Sequence, residues 1–294
     1  MTLLASPPEI CLRNILFATD FSASAQAALP YGLGMARRYG ATLYTVSVVP
    51  EEISDDVQPP DPFHFWHSAE KTMAKLTASE QFEGIRHEEL VTEGFVSEVL
   101  SDLVGKLDIN LVVLGTHGRG GIKKLVMGSV AEEIVSQVPC AVLTVGPHAC
   151  QGASPELQLR RILYATDLLP GSARALMYAL WFAEHEHAHL TLLHVLKMPA
   201  DVPLEWPDTE REIAKKSLAQ LLPPERVPSL ETEFIVESGA PAVHILKIAD
   251  AEGTDLIAMG PNRSSHVQVS AHLPWVTFHQ VVCHARCPVL TARD

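Results

Sequence analysis

One segment of this chain has the make-up of an anion cradle: Gly115-Thr-His-Gly118-Arg-Gly-Gly-Ile-Lys-Lys-Leu-Val-Met-Gly128-Ser129. Glycines let a backbone approach an anion closely, because no Cβ stands between them. The free N–H groups at a helix start, with the helix dipole behind them, favour a phosphate. Ser129 opens a helix predicted over Ser129 to Gln137; its hydroxyl can add a hydrogen bond at that start, besides capping the helix. Lys123 and Lys124 would bring loose positive charge, and His117 either contacts a phosphate or fills a turn. The competing reading is a glycine-rich surface turn followed by a capped helix. The segment lacks the Gly-Lys-Ser/Thr ending of a P-loop ATPase. No arginine finger, general base or metal pair can be set against a γ-phosphate from the sequence. No Ser-His-Asp or Cys-His arrangement can be argued either. The expected chemistry is therefore holding a phosphate, not transferring it.

The elements that must position this segment alternate strand and helix patterns. Asn14 to Thr19, Thr42 to Val49, Arg86 to Val91, Asn110 to Gly115 and Ala141 to Val145 are short runs rich in Val, Ile and Leu, with the length of buried strands. Amphipathic stretches such as Ser22 to Tyr39, capped by Ser22, and Phe95 to Lys106 lie between them. Asp61 to Met73 reads as a crossing helix or lid over the sheet, after the loop residues Pro59-Pro60-Asp61-Pro62. Such alternation implies a parallel sheet covered on both faces, with ligands beyond the carboxyl ends of the strands at the switch point. Asp20 and Gly115 both fall at strand ends and should face that crevice.

The whole pattern occurs twice. Arg13-Asn-Ile-Leu-Phe-Ala-Thr-Asp20 is echoed by Arg160-Arg-Ile-Leu-Tyr-Ala-Thr-Asp167 (167 − 20 = 147). Gly40 to Val48 matches Ala188 to Val195, Asp108 to Gly115 matches Gly253 to Gly260, and Val138 to Leu143 matches Ala285 to Leu290. Four anchors in one order mark a tandem repeat. Residues 1–148 and 160–294 are expected to be the two α/β domains. Between them, 149–159 reads as a linker, its turn residues including Gly152, Ser154 and Pro155.

The spacing Gly115-x2-Gly118-x9-Gly128-Ser129, the opening Ile15-Leu16-Phe17-Ala18-Thr19-Asp20 and the ending Val138-Pro-Cys-Ala-Val-Leu-Thr-Val145 resemble the universal stress protein family. The resemblance covers nearly the whole chain as two domains. It implies in each an open five-stranded parallel sheet with helices on both faces, Rossmann-like and similar to the adenine nucleotide alpha hydrolases. It also implies a stress-linked cytoplasmic role, and members with the full motif bind ATP, with Mg²⁺ as an expected companion. Carried over by position, Asp20 and Ala18 should meet the adenosine end, with Val48 on the neighbouring strand. Leu114, Gly115 and Gly118 should line the ribose and phosphate path, and Gly128, Ser129 and Val130 should hold the phosphates. For Asp20 a turn or helix-cap carboxylate is the alternative, which Asp167 in the second copy keeps open. Bound nucleotide beside a carboxylate such as Asp20 also leaves slow ATP hydrolysis open. Family members commonly pair through their last strand, so the two copies are expected to form an internal pseudo-dimer. A homodimer of chains is a further option.

The second copy departs from the motif. Pro261-Asn262-Arg263 follows Gly260, so Arg263 stands at the second glycine's place, and Trp275 and Val276 fall at the places of Gly128 and Ser129. A tryptophan there would bar close approach of a phosphate, so one nucleotide site is expected, in the first domain. The main reading is an ATP-binding stress regulator or sensor read by protein partners; the alternative is an interaction scaffold independent of nucleotide.

Other features bound these readings. Hydrophobic residues make up 47% of the 294, enough for a sizeable core. The net charge of −13 disfavours nucleic acid and anionic membranes as partners. No apolar run has the length of a membrane span, and Met1 to Arg13 lacks the basic start of a signal peptide. The five cysteines, without framework spacing, fit a reducing cytoplasm. His185 and His189 at i, i+4 could ligate a metal, but a solvated helix end is the simpler reading. Cys140 and Cys287 occupy matching places and, with Cys283, read as buried structural thiols.

Overall fold

The computed structural model describes residues 10–49, 62–116, 127–149, 157–196, 208–226, 230–260 and 272–293. The first copy runs β1 (Asn14–Ala18), α1 (Ala23–Tyr39), β2 (Thr42–Val49), α2 (Pro62–Thr77), β3 (His87–Glu93), α3 (Val96–Lys106), β4 (Leu111–Gly115), α4 (Ser129–Gln137) and β5 (Ala141–Val145). The second runs β6 (Arg161–Thr166), α5 (Ala173–Glu186), β7 (His189–Leu196), α6 (Asp208–Ala219), β8 (Thr232–Ser238), α7 (Pro241–Glu252), β9 (Leu256–Met259), α8 (His272–His284) and β10 (Val289–Thr291).

Alternation along β1 explains why Ile15 to Ala18 are all apolar. Ile15 and Phe17 enter the core under α1, while Leu16 enters the core on the opposite face. A strand covered on both sides favours apolar residues in its middle. The expected parallel α/β sheets are present: in the first copy the order is β3-β2-β1-β4-β5, in the second β8-β7-β6-β9-β10, with every pair inside a copy parallel. The order reverses between β1 and β4, which is the switch point where a crevice opens beyond the strand ends.

The two sheets are one. β5 and β10 pair antiparallel, with Val289 opposite Thr144, Leu290 opposite Leu143 and Thr291 opposite Val142. All six residues are buried. The ten strands form a continuous sheet, and each of its two apolar layers contains residues of both copies.

Helix boundaries follow the local chemistry. Ser22 caps α1, accepting from the Ala25 N–H at 3.3 Å, and Gly40 ends it in the left-handed conformation at φ 65°. Helix α2 buries Ala69 and Met73 and packs on β2 and β3, as a crossing helix should. Strand β3 differs from the sequence expectation: it starts at His87, not Arg86, and runs to Glu93, not Val91. It is an edge strand whose ladder is fixed by pairing with Leu43 to Val49. Its exposed Glu88, Glu89 and Glu93 carry no apolar signal.

Candidate functional site

The crevice of the first copy is built from the β1–α1 turn, the ends of β2 and β4, and the start of α4. The turn is held by its own side chains. Thr19 Oγ1 accepts from the Phe21 N–H at 2.9 Å, and Asp20 Oδ1 accepts from the Ser22 N–H at 3.0 Å. Phe21 takes φ 63°, unusual for a residue with a Cβ, and these two bonds stabilise that conformation. The second copy repeats the arrangement: Thr166 Oγ1 accepts from Leu168 at 2.9 Å, Asp167 Oδ1 accepts from Leu169 at 3.0 Å, and Leu168 has φ 63°. Asp20 thus lies at the strand end and shapes the turn, a role shared by a copy without the glycine motif.

Gly115 also has a structural role. A Cβ on it would meet the Ser24 carbonyl oxygen at 2.5 Å and the Ser24 hydroxyl at 2.6 Å, so only glycine lets α1 begin against the end of β4. Gly260 does the same in the second copy, where a Cβ would meet Ser172 Cα at 2.6 Å. Sequence reasoning assigned Gly115 to a phosphate path and missed this packing. The signal was present: Gly260 persists although the loop after it has lost its glycines.

Ala18 and Val48 lie half-buried near the ends of adjacent strands, both against the apolar layer that contains Leu16. Leu114 points its side chain into that layer and is 3% exposed, so its backbone, not its side chain, borders the crevice. Gly118, His117, Lys123 and Lys124 lie outside the described residues.

Both flanks of the loop are fixed. The Thr116 N–H donates to the Val145 carbonyl at 3.2 Å, and the Gly128 N–H donates to the Thr116 carbonyl at 2.8 Å. Gly128, not Ser129, is the N-cap of α4, at φ −67° and ψ 147°, and no side chain caps the first turn. The expectation that Ser129 caps this helix is thereby corrected: Ser129 is its first residue. The α4 start pairs exposed Ser129 and Val130 with N–H groups that no side chain caps, and Val130 is 45% exposed. Glu132 sits in the first turn and offsets part of the helix dipole.

The corresponding part of the second copy is built differently. α8 ends in register with α4 (284 − 137 = 147) but has 13 residues against 9 and so starts earlier. Trp275 and Val276 lie within α8, and Val276 belongs to its second turn, where N–H groups are spent on the helix's own bonds. Arg263 lies outside the described residues.

The remaining candidates fall into structural places. His185 is in the last turn of α5, its Nδ1 2.8 Å from the Trp181 carbonyl oxygen, while His189 starts β7. The two histidines therefore do not share a helix face, and among the described residues no group of three metal-ligating side chains converges. Burial pushes the Cys140 and Cys287 thiols up to about 12 and raises Cys283 as well, so none is a thiolate at neutral pH. No helix among the described residues is long and apolar enough to cross a membrane.

Comparison with known proteins agrees with this architecture. The universal stress protein family model matches twice, at residues 12–146 and 158–293. A Staphylococcus aureus (strain USA300) protein named for the same family is 28% identical over 149 residues, covering 46% of this chain and 85% of that relative. A universal stress protein from Archaeoglobus fulgidus DSM 4304 superposes with TM-score 0.69 at 18% identity, over 95% of this chain and 98% of that one. A structure from Pseudomonas aeruginosa UCBPP-PA14 superposes with TM-score 0.60 at 18% identity, over 96% and 93% of the two chains. At such identity these two likenesses speak for the fold.

Proposed function

The chain belongs to the universal stress protein family, as two domains in tandem, and we propose that it is an ATP-binding regulator or sensor of the stress response with one nucleotide site, in the first domain. The observation that carries this reading is the start of α4. Gly128 caps the helix without a side chain, its own N–H is spent on Thr116, and the following turn opens beside the strand ends. That is an arrangement suited to a phosphate. The adenosine end would lie over Ala18, Asp20 and Val48, and the phosphates would pass Leu114, Gly115 and Gly118 to Gly128, Ser129 and Val130, with Mg²⁺ accompanying the triphosphate.

Protein partners would read the loaded state, in the cytoplasm, where the free buried cysteines are at home. The internal pairing of β5 with β10 occupies the strand edges that would otherwise join two chains, so a homodimer of chains would need another surface. The domains divide at 148 and 160 in this reading. In this reading ATP hydrolysis is at most slow.

A second reading, a scaffold independent of nucleotide, is favoured by one observation. The Asp20 turn and the Gly115 packing recur around Asp167 and Gly260, so neither needs a ligand to account for it. Extraction of the freshly purified chain, followed by chromatography of the released small molecules, separates the two. Co-purified adenine nucleotide, displaced by added ATP more readily than by AMP or cyclic AMP, supports the first reading. A chain that releases no nucleotide and gains no thermal stability from millimolar ATP supports the scaffold.

A further inference from the structure

A cavity of about 420 Å³ lies where α1, α5 and the residues leading into β6 meet. α1 ends and β6 begins there, so it sits at the amino ends of the strands, away from the crevice at their carboxyl ends. Its lining is Gly34, Arg37 and Arg38 of α1, residues 157–160, and Glu186 of α5. The three α1 residues stand at i, i+3 and i+4 and so share one helix face. Gly34 lets the chain pass close by: a Cβ there would meet Leu157 Cβ at 2.8 Å. The volume suits a small metabolite.

The charges of the lining do not cancel. Arg38 Nε donates to Glu186 Oε1 at 3.0 Å and Oε2 at 3.1 Å, and the Tyr39 hydroxyl donates to Oε1 at 2.7 Å. Glu186 is thereby matched by Arg38 and held across the domain seam. Arg37 and Arg160 have only neutral partners. Arg37 Nη2 donates to the Gln81 carbonyl at 3.0 Å, and Arg160 Nη2 donates to Gln158 Oε1 at 2.6 Å. Asp255 Oδ2 accepts from the Arg160 N–H at 2.8 Å, a backbone bond, and Asp255 is not part of the lining. Among the described residues neither guanidinium is in an ion pair. Two uncompensated arginines thus face one concavity in a chain of net charge −13. Such a concavity concentrates anions.

The second copy does not repeat this site. At the places of Gly34, Arg37 and Arg38 it has Trp181, Glu184 and His185 (181 − 34 = 147). The Trp181 ring packs on Tyr39 and His185, with centroids 4.9 and 4.1 Å away, and Glu184 pairs with Arg226 at 3.5 Å. An indole fills the counterpart of the space that Gly34 leaves, and an acid replaces the first arginine.

We propose that this cavity binds a small phosphorylated polyol, a sugar phosphate in chemical class, as a ligand site separate from the nucleotide crevice. Guanidinium forks match phosphate oxygens, and a phosphate monoester has enough oxygens for two arginines from different elements. Gln158 lines the same wall and brings an amide to the ligand's hydroxyls. The lining has no aromatic ring on which a base could stack, which sets this ligand apart from a nucleotide. The proposal does not depend on the nucleotide reading.

The test is a titration of the full chain followed at the arginine Nε–H resonances, with glucose 6-phosphate, inorganic phosphate and glucose as probes. Glucose 6-phosphate should shift Arg37 and Arg160 together and bind about fivefold or more tighter than inorganic phosphate, and glucose should shift neither. Arg37→Gln and Arg160→Gln should each weaken binding by about tenfold, with part of the loss recovered in Arg37→Lys. Both arginines are exposed, so these variants should melt like the parent and keep whatever ATP affinity it has. Absence of any shift at Arg37 and Arg160, or unaltered binding in the folded double variant, would overturn the site. Equal affinity for inorganic phosphate and glucose 6-phosphate would overturn the assignment to an ester.

Discussion

In the proposed reading several residues of the crevice would carry two roles, and substitutions can pull the roles apart. Gly115 must be glycine for α1 to start where it does. Gly115→Ala is therefore expected to cost about 2–4 kcal/mol in urea unfolding, since backbone must move to admit the methyl group. Gly260→Ala should cost a similar amount although its copy has no glycine loop; a neutral Gly260→Ala would refute the packing explanation for both. Asp20→Asn keeps the acceptor for the Ser22 N–H, so stability should change by less than about 0.5 kcal/mol. ATP affinity should fall if the carboxylate also meets the ribose, and calorimetry on a variant with unchanged melting distinguishes the roles.

The buried thiols give a pH dependence whose sign is fixed. Cys140 and Cys287 are raised from 9.0 to about 12 by burial. Above the ordinary value the unfolded chain releases these protons and the folded chain does not, so folding loses stability as pH rises. The contribution is whole below pH 9 and drains away between 9 and 12. Alkylation at pH 8 should accordingly label exposed Cys11 first and reach Cys140 and Cys287 only as the chain unfolds. Rapid labelling of either in the folded chain would contradict their burial.

At the scale of elements, legibility tracked burial. β1, β2, β4 and β5 are buried largely on both faces, so they appear as mostly apolar runs and their limits fall within a residue of the sequence reading. β3 is half-exposed and acidic, and its limits moved by up to two residues, because its pairing with β2 and not its own pattern defines it. The cap of α4 was misassigned by one residue for a related reason: Ser129 has the right chemistry for a cap, but the Gly128–Thr116 hydrogen bond that fixes the register is a tertiary fact. The earlier start of α8 was not legible either. An apolar segment ending in a helix pattern does not disclose where a helix begins when no cap residue marks it. The outer strands β3 and β8 present Glu88, Glu89, Glu93, Glu233 and Glu237. Such charges discourage edge-to-edge association. Glu88→Val with Glu93→Val should promote self-association in sedimentation velocity, and a monodisperse monomer at high concentration would show that the edge is protected by something else.

At the scale of the whole molecule, the tandem repeat was legible from four sequence anchors and pairing through the last strand was implied by the family resemblance, while the shared cores were not legible. A repeat says that two similar units exist; only the β5–β10 ladder makes them one sheet with two common apolar layers. Leu143 and Leu290 face each other across that seam with no exposure. Leu290→Asp is expected to destabilise both halves together by more than about 3 kcal/mol, because a buried charge without a partner is costly. Denaturation followed by probes in each half should give coincident transitions, and separated transitions in the parent chain would mean that the halves fold independently.

The central claim is one nucleotide site per chain, in the first domain, and calorimetric stoichiometry tests it most directly. ATP with Mg²⁺ titrated into the full chain should bind at one site per chain, and Gly128→Trp, which imports the second copy's residue into the first, should abolish that binding without unfolding the protein. Two sites per chain, or one site that survives Gly128→Trp, would contradict the account.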